Sequence, residues 1–216
     1  MSRSILVIGE SGAGKTTSLR TLNPETTLII DSDKKGESWR GWRKQYSREK
    51  KNYVATSNVN TIMQILERVN NGDMQNVETV VIDTLGGIMI DDEMNRINEK
   101  GYDKWRDLCS SIYGILSKAN AMRDGVNVVC IAHAETGDDG FTRMKTSGRK
   151  LQKIVPESKF TTVLLAKALD GKYIFETRAI HSTAKSPFGC FADAEIPNDM
   201  QMVLDTIKKY EEDDEQ

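Results

Sequence analysis

Continuous apolar runs, rather than strictly alternating ones, mark the strands of this chain. Ile5-Leu6-Val7-Ile8, Thr27-Leu28-Ile29-Ile30-Asp31, Val77 to Thr84 and Val126 to Ala132 each read as a strand buried on both faces, the habit of a parallel sheet under two layers of helices. A short strand is also predicted at Tyr53-Val54-Ala55. Between these runs the apolar residues recur at helical spacing: Ile62, Ile65, Leu66 and Val69, closed by Asn71-Gly72, and then Trp105, Leu108, Cys109, Ile112, Ile115, Leu116 and Ala119 on one stripe. Thr16 to Leu22 reads as a helix stopped by Asn23-Pro24. Gly86-Gly87 suits either a flexible loop or a helix entry. The pattern changes after residue 160. Thr161 to Leu169 and Lys172 to Ile180 are β-rich and are separated by Asp170-Gly171, a strong hairpin signal. Met200, Val203, Leu204, Ile207 and Tyr210 line a last amphipathic helix from about Asn198.

The first strand runs into Gly9-Glu10-Ser11-Gly12-Ala13-Gly14-Lys15-Thr16, a match to G-x-x-x-x-G-K-[ST] set between strand and helix. The glycines let backbone N–H groups face a polyphosphate, and the helix start adds partial positive charge. Lys15 would reach the β and γ phosphates, with Thr17 beside them. The Thr16 hydroxyl would ligate Mg²⁺. The expected ligand is therefore ATP with Mg²⁺. Asp83, ending its apolar strand, is the expected second holder of the metal. Asp33, just past the second strand, suits either orientation of an attacking water or helix capping. His133, at the tip of its strand, suits either a γ-phosphate sensor or a structural role.

Composition adds boundaries. The chain has 216 residues, long enough for one sizeable domain, expected over 1–210 with an acidic tail at 211–216. A formal net charge of −2 excludes a uniformly basic nucleic-acid binder but leaves local patches open. One patch is the run from Lys34 to Lys51, with Lys35, Arg40, Arg43, Lys44, Arg48 and Lys50, interleaved with Trp39, Trp42 and Tyr46. Helical spacing explains the aromatics as core packing; the same run also has the parts of a single-strand nucleic-acid surface. A second patch is the glycine-punctuated, mobile loop from Thr136 to Gly148 with Phe141, Arg143 and Lys145, followed by Arg149, Lys150 and Lys153. It suits DNA contact or a solvated hairpin. The tail from Glu211 to Glu215 reads as a solubilising end or a nucleic-acid mimic. Cys109, Cys130 and Cys190 lack metal spacing and read as reduced thiols, the first two in the core. With neither a signal peptide nor an apolar run near the ~20 residues of a membrane span, a cytoplasmic protein without membrane association is expected.

Taken in order, the phosphate loop, acid-tipped strand, Val81-Ile82-Asp83-Thr84, polar-tipped strand, basic loop, hairpin and Lys185-Ser186-Pro187-Phe188 resemble the RecA/RadA recombinase core. The layout is most similar to the phage-encoded minimal RecA-like ATPases of the Sak single-strand annealing group. The resemblance implies an α/β RecA-like P-loop fold, a mostly parallel sheet flanked by helices with a C-terminal antiparallel hairpin. It implies a DNA-stimulated ATPase that binds single-stranded DNA through Phe141, Arg143, Lys145, Arg149 and Lys150. Its partners would be copies of itself in a ring or filament and a single-strand-binding protein. Ile30-Asp31-Ser32-Asp33 departs from the family's I-D-T-E, so Asp33 stands where a catalytic glutamate is usual, with Glu37 as the alternative. Lys185 resembles the lysine that enters a neighbouring subunit's ATP site. Two rival functions share the phosphate loop: a nucleotide-gated DNA-binding adaptor with vestigial hydrolysis, and a small-molecule or nucleotide kinase.

Overall fold

The structure, a computed structural model, describes residues 3–101 and 103–214, without the side chains of residues 149 and 214. The first half of the chain alternates strands and helices. Strand β1 (Arg3–Gly9) enters the phosphate loop and a 3-10 helix (Thr16–Thr21), then β2 (Thr27–Asp31), α1 (Trp42–Gln45), β3 (Tyr53–Ala55), α2 (Val59–Asn70), β4 (Thr79–Asp83), α3 (Leu85–Asn95) and α4 (Asp103–Asn120) follow. The second half contains β5 (Asn127–Thr136), β6 (Thr142–Met144), α5 (Arg149–Ile154), a 3-10 turn (Pro156–Lys159), β7 (Thr162–Leu169), β8 (Lys172–Glu176), β9 (Glu195–Pro197) and α6 (Met200–Asp214).

The sheet order is β3-β2-β4-β5-β1-β7-β8-β9, with β6 paired to the end of β5. Neighbours from β3 to β7 run parallel, and the β7–β8 and β8–β9 pairs are antiparallel. The apolar runs sort by parity. Leu6, Ile8, Leu28, Ile30, Val80 and Ile82 join the core under α2, α3 and α4. Ile5, Val7, Ile29, Val81, Val129 and Ile131 join the opposite core under α6. Both faces are dry, which is why these strands show no polar alternation. The expected α/β architecture with a C-terminal antiparallel pair is the one observed. No helix among the described residues is long and apolar enough to cross a membrane.

Several local expectations need correction. The helix after the phosphate loop is a six-residue 3-10 segment, the form short helical pieces commonly take. The run from residue 34 to 51 holds only the four-residue α1, because Lys34, Gly36, Gly41 and Lys51 all take left-handed φ values that a helix cannot contain. Its aromatics nevertheless pack on the core, with Tyr46 buried and Trp39 and Trp42 half-buried against it. Strand β5 does not stop at His133 but continues to Thr136, since β6 supplies a partner for Ala134 to Thr136. The loop expected after it is thus a short hairpin. Strand β8 ends at Glu176, not Ile180, because the buried Glu176 carboxylate turns the chain by accepting from Ile180 N at 3.2 Å and Ser182 Oγ at 2.6 Å. The Asp170-Gly171 turn is as expected, with φ of 48° and 76°. Cys190 is buried like Cys109 and Cys130, and all three are free thiols.

Candidate nucleotide site

The site lies at the carboxyl ends of β1, β2, β4 and β5, where an open parallel sheet collects ligands. Strand β5 separates β1 from β4, so the phosphate loop and Asp83 reach the site from strands one apart. Gly9 ends β1 because a Cβ there would lie 2.8 Å from the Ala166 carbonyl oxygen on β7. Gly14 takes a φ of 89°, and a Cβ on it would meet the Tyr173 ring at 2.7 Å. Only glycine meets both demands.

Lys15 is 7% exposed and folds back on its own loop, donating to the carbonyls of Gly9 at 2.9 Å and Glu10 at 2.7 Å. Burial pulls its pKa down to about 8, partly countered by Asp83. The Thr16 hydroxyl donates to Asp83 Oδ2 at 2.7 Å. Asp83 Oδ1 is buried without a hydrogen-bond partner, and burial pushes the pKa of this 3% exposed carboxyl up to about 6. A buried carboxylate oxygen with no donor, beside a threonine hydroxyl, is the donor set a hard, oxygen-seeking cation needs. Thr16 and Asp83 therefore fit Mg²⁺.

Two more acids surround this pair. Asp33 pairs with Lys35 through Oδ2 and accepts from Thr84 Oγ1 through Oδ1 at 3.1 Å. Burial alone would lower the pKa of Lys35, but its pairing with Asp33 holds it above its usual value. Thr84 also caps α3, accepting from Gly87 N at 3.0 Å. Gly86-Gly87 is thus a helix entry. Gly87 must lack a Cβ, because one would lie 2.3 Å from Asp33 Oδ1. Glu37 is 8% exposed, its Oε2 has no partner, and burial together with Asp83 and Asp31 pushes its pKa up to about 9. The adjacent Ser38 ties this segment to the loop through a 3.1 Å contact with Thr17 Oγ1.

His133 lies opposite Gly9 in register, and its ring is 3.6 Å from where a Gly86 Cβ would stand. Burial and the neighbouring Lys15 lower its pKa, which favours the neutral imidazole. Lys15, Thr16, Asp33, Asp83 and His133 are thus gathered, with Glu37 close by. Other sequence candidates lie elsewhere. Lys185 is held beside β7 by backbone hydrogen bonds in both directions with Val163, at 2.8 and 2.9 Å. Phe141, Arg143 and Lys145 belong to the β5–β6 hairpin, with Arg143 ion-paired to Asp139 at 2.7 Å. Lys150 sits half-buried on α5, and the Arg149 side chain falls outside the described residues. Of the cations in the 34–51 run, Lys35 pairs with Asp33 at the nucleotide end and Lys34 with Asp91. Arg48, Lys50 and Lys51 line a cavity of about 810 Å³ at the amino ends of β2 and β3.

Sequence reasoning missed Lys35 and Tyr173. The first has a weak local signal, a cation two residues after Asp33. The second has none, because Gly14 and Tyr173 are far apart in sequence and meet only where β1, β7 and β8 lie side by side. Residues 1–170 match the family model described as an AAA domain. No curated protein shows significant similarity to the chain. With its phosphate loop, Thr16–Asp83 pair and parallel sheet in place, the chain belongs to the AAA domain family of P-loop nucleotide-binding ATPases.

Proposed function

We propose that this protein hydrolyses ATP and couples that reaction to the binding of single-stranded DNA, acting as an oligomer in recombination or annealing, in the manner of the Sak-like minimal RecA relatives. One observation carries the coupling. Strand β5 runs unbroken from the nucleotide site into the basic hairpin, and the His133 carbonyl itself accepts from Lys145 N at 2.8 Å. A shift of His133 on reading the γ-phosphate would reach Phe141, Arg143 and Lys145 through a single strand pair.

In the proposed reaction Lys15 leaves its loop carbonyls for the β and γ phosphates, and the N–H groups of Gly12 to Thr16 receive their charge. Thr16 and Asp83 would hold Mg²⁺, which would supply neutralisation of the phosphate charge. Asp33 orients the attacking water, and Lys185 enters from a neighbouring copy to stabilise the departing charge. The pairing of Asp33 with Lys35 favours a second reading. A carboxylate already held by a lysine is not free to orient a water, which suits a nucleotide-gated DNA-binding protein whose hydrolysis is slow.

Steady-state ATPase measured with and without single-stranded DNA tests the reading. Stimulation by the single strand, lost in Lys15→Ala, is the expected result. Hydrolysis indifferent to DNA, together with phosphoryl transfer to a small acceptor, would establish the kinase instead. DNA binding that depends on ATP but shows no single-turnover hydrolysis would establish the adaptor.

A further inference from the structure

The segment from Asp33 to Ser38 crosses the nucleotide site. At one end Asp33 Oδ1 accepts from Thr84 Oγ1 at 3.1 Å, one residue from Asp83. At the other end Ser38 Oγ meets Thr17 Oγ1 at 3.1 Å, one residue from Thr16. The segment therefore bridges the two elements that supply the Thr16–Asp83 pair. Its middle is pinned through the backbone. Asp31 accepts from Lys34 N at 2.8 Å and from Gly36 N at 2.7 Å, one on each side of Lys35. Lys34 and Gly36 both take left-handed φ values, and a Cβ on Gly36 would lie 2.6 Å from the Trp42 ring. A non-glycine residue such as Lys34 keeps that conformation only where its surroundings over-determine it. The loop is thus fixed, while the Lys35 side chain it presents is 53% exposed.

Lys35 has donors left over. An ammonium carries three N–H groups and accepts nothing. Among the described residues its one hydrogen-bond acceptor is Asp33 Oδ2, which leaves two N–H groups without a protein partner. Its charge is felt at Lys15, Asp83 and His133 as well as at Asp33, so the ammonium stands among the groups gathered at the site. An anion entering there meets the carboxylates of Asp33 and Asp83, and like charges at such separations repel unless a cation lies between them. Lys35 is the cation already touching Asp33.

We infer that Lys35 binds the γ-phosphate of the ATP held by its own chain, donating a free N–H to a phosphate oxygen while it keeps Asp33, and so distinguishes ATP from ADP. The inference rests on the ATP part of the reading above and is independent of the DNA part. It gives Lys35 a task that the phosphate loop cannot perform. The loop N–H groups cradle the inner phosphates and Lys15 reaches both the β and the γ phosphate, so these contacts persist with ADP. Lys35 comes instead from the loop after β2, toward which the third phosphate projects, and would find its second partner only when that phosphate is present.

The test measures, by calorimetry on the full chain, the binding of Mg-ADP and of a non-hydrolysable Mg-ATP analogue. Lys35→Met should weaken the analogue about tenfold or more, the scale of a charge-assisted hydrogen bond to phosphate, and change Mg-ADP affinity by about twofold or less. Lys35→Arg should recover most of the loss. The loss should persist when Lys35→Met is made in an Asp33→Asn background; its disappearance there would mean that Lys35 only neutralises Asp33, and overturns the phosphate contact. Equal weakening of both nucleotides, or of neither, also overturns it. Because variants could misfold, the wild-type protein is also treated with an amine-acylating reagent and its peptides weighed. The ATP analogue should protect Lys35, and ADP should leave it as reactive as in the free protein. Equal modification of Lys35 with either nucleotide overturns the inference and leaves the ATP reading standing. Wild-type protein that binds neither nucleotide overturns both.

Discussion

Strands β2 and β4 lie side by side in register and carry nearly the same sequence. Thr27-Leu28-Ile29-Ile30-Asp31 faces Thr79-Val80-Val81-Ile82-Asp83, with every residue of both buried and Asp31 directly opposite Asp83. Their terminal acids nevertheless do different work. Asp31 accepts from Lys34 N at 2.8 Å through one oxygen, and from Gly36 N at 2.7 Å and Tyr53 Oη at 2.5 Å through the other. Asp83 accepts from Thr16 alone and leaves one oxygen buried and bare. A satisfied buried carboxylate fastens the loop that follows it, whereas an unsatisfied one keeps a capacity in reserve for a ligand. The strand motif brings an acid to the site; the neighbouring loop decides whether that acid is scaffold or ligand.

Replacing each acid by its amide should separate the two roles most sharply. Asp83→Asn removes a charge that burial already disfavours, so thermal unfolding without nucleotide should occur at the same or a higher temperature. Its Mg-ATP turnover should fall by ~100-fold or more, since the metal loses its charged protein ligand. Asp31→Asn should do the reverse. The amide NH2 must then face backbone N–H donors, which should cost ~2 kcal/mol in denaturant unfolding. ATP affinity should persist in whatever protein folds. Equal loss of stability in both variants would show that the bare oxygen of Asp83 has no special standing.

The same pair explains what the sequence could and could not disclose. The phosphate loop, the parallel sheet and the Asp170-Gly171 hairpin were legible because each is written in consecutive residues. Thr16 and Asp83 were legible because the loop motif and the strand motif each carry their own signal. The partners of Asp31 and Asp33 were not, since Tyr53 and Thr84 come from the neighbouring strands β3 and β4, and Lys35 from a loop bent by left-handed Lys34 and Gly36. A helical period over residues 34–51 was visible, but backbone conformation overrode it. His133 was found by position, while the continuation of β5 past it depended on the β6 partner.

Asp33 tests where the line between scaffold and chemistry falls. Gly87 approaches so closely that an alanine Cβ would stand 2.3 Å from Asp33 Oδ1 and 2.6 Å from Ser32 Oγ. Gly87→Ala must therefore push Asp33 away from Thr84. If Asp33 orients water, kcat should fall about tenfold while ATP affinity stays near normal, because a small misplacement of a catalytic group is felt mainly in the transition state. An unchanged kcat would move Asp33 to the side of Asp31, as a loop-organising acid paired with Lys35.

Glu37 gives the smallest effect and the finest probe, because it feels Asp83 and Asp31 together. Burial raises its pKa from the usual 4.5 to about 9, so the folded protein keeps the carboxyl protonated where the unfolded chain ionises it. Within that window the native state binds more protons than the unfolded state, and stability must fall as pH rises. The contribution is fully present below the unfolded pKa and is lost progressively up to the folded one. Glu37→Gln keeps the shape and removes the proton. Its stability relative to wild type should therefore rise with pH by ~1 kcal/mol per unit between those values, read from denaturant midpoints without nucleotide. A pH-independent difference would mean that Glu37 is ionised in the folded protein. The carboxylate would then stand charged beside Asp83, and a second anionic oxygen would border the metal position.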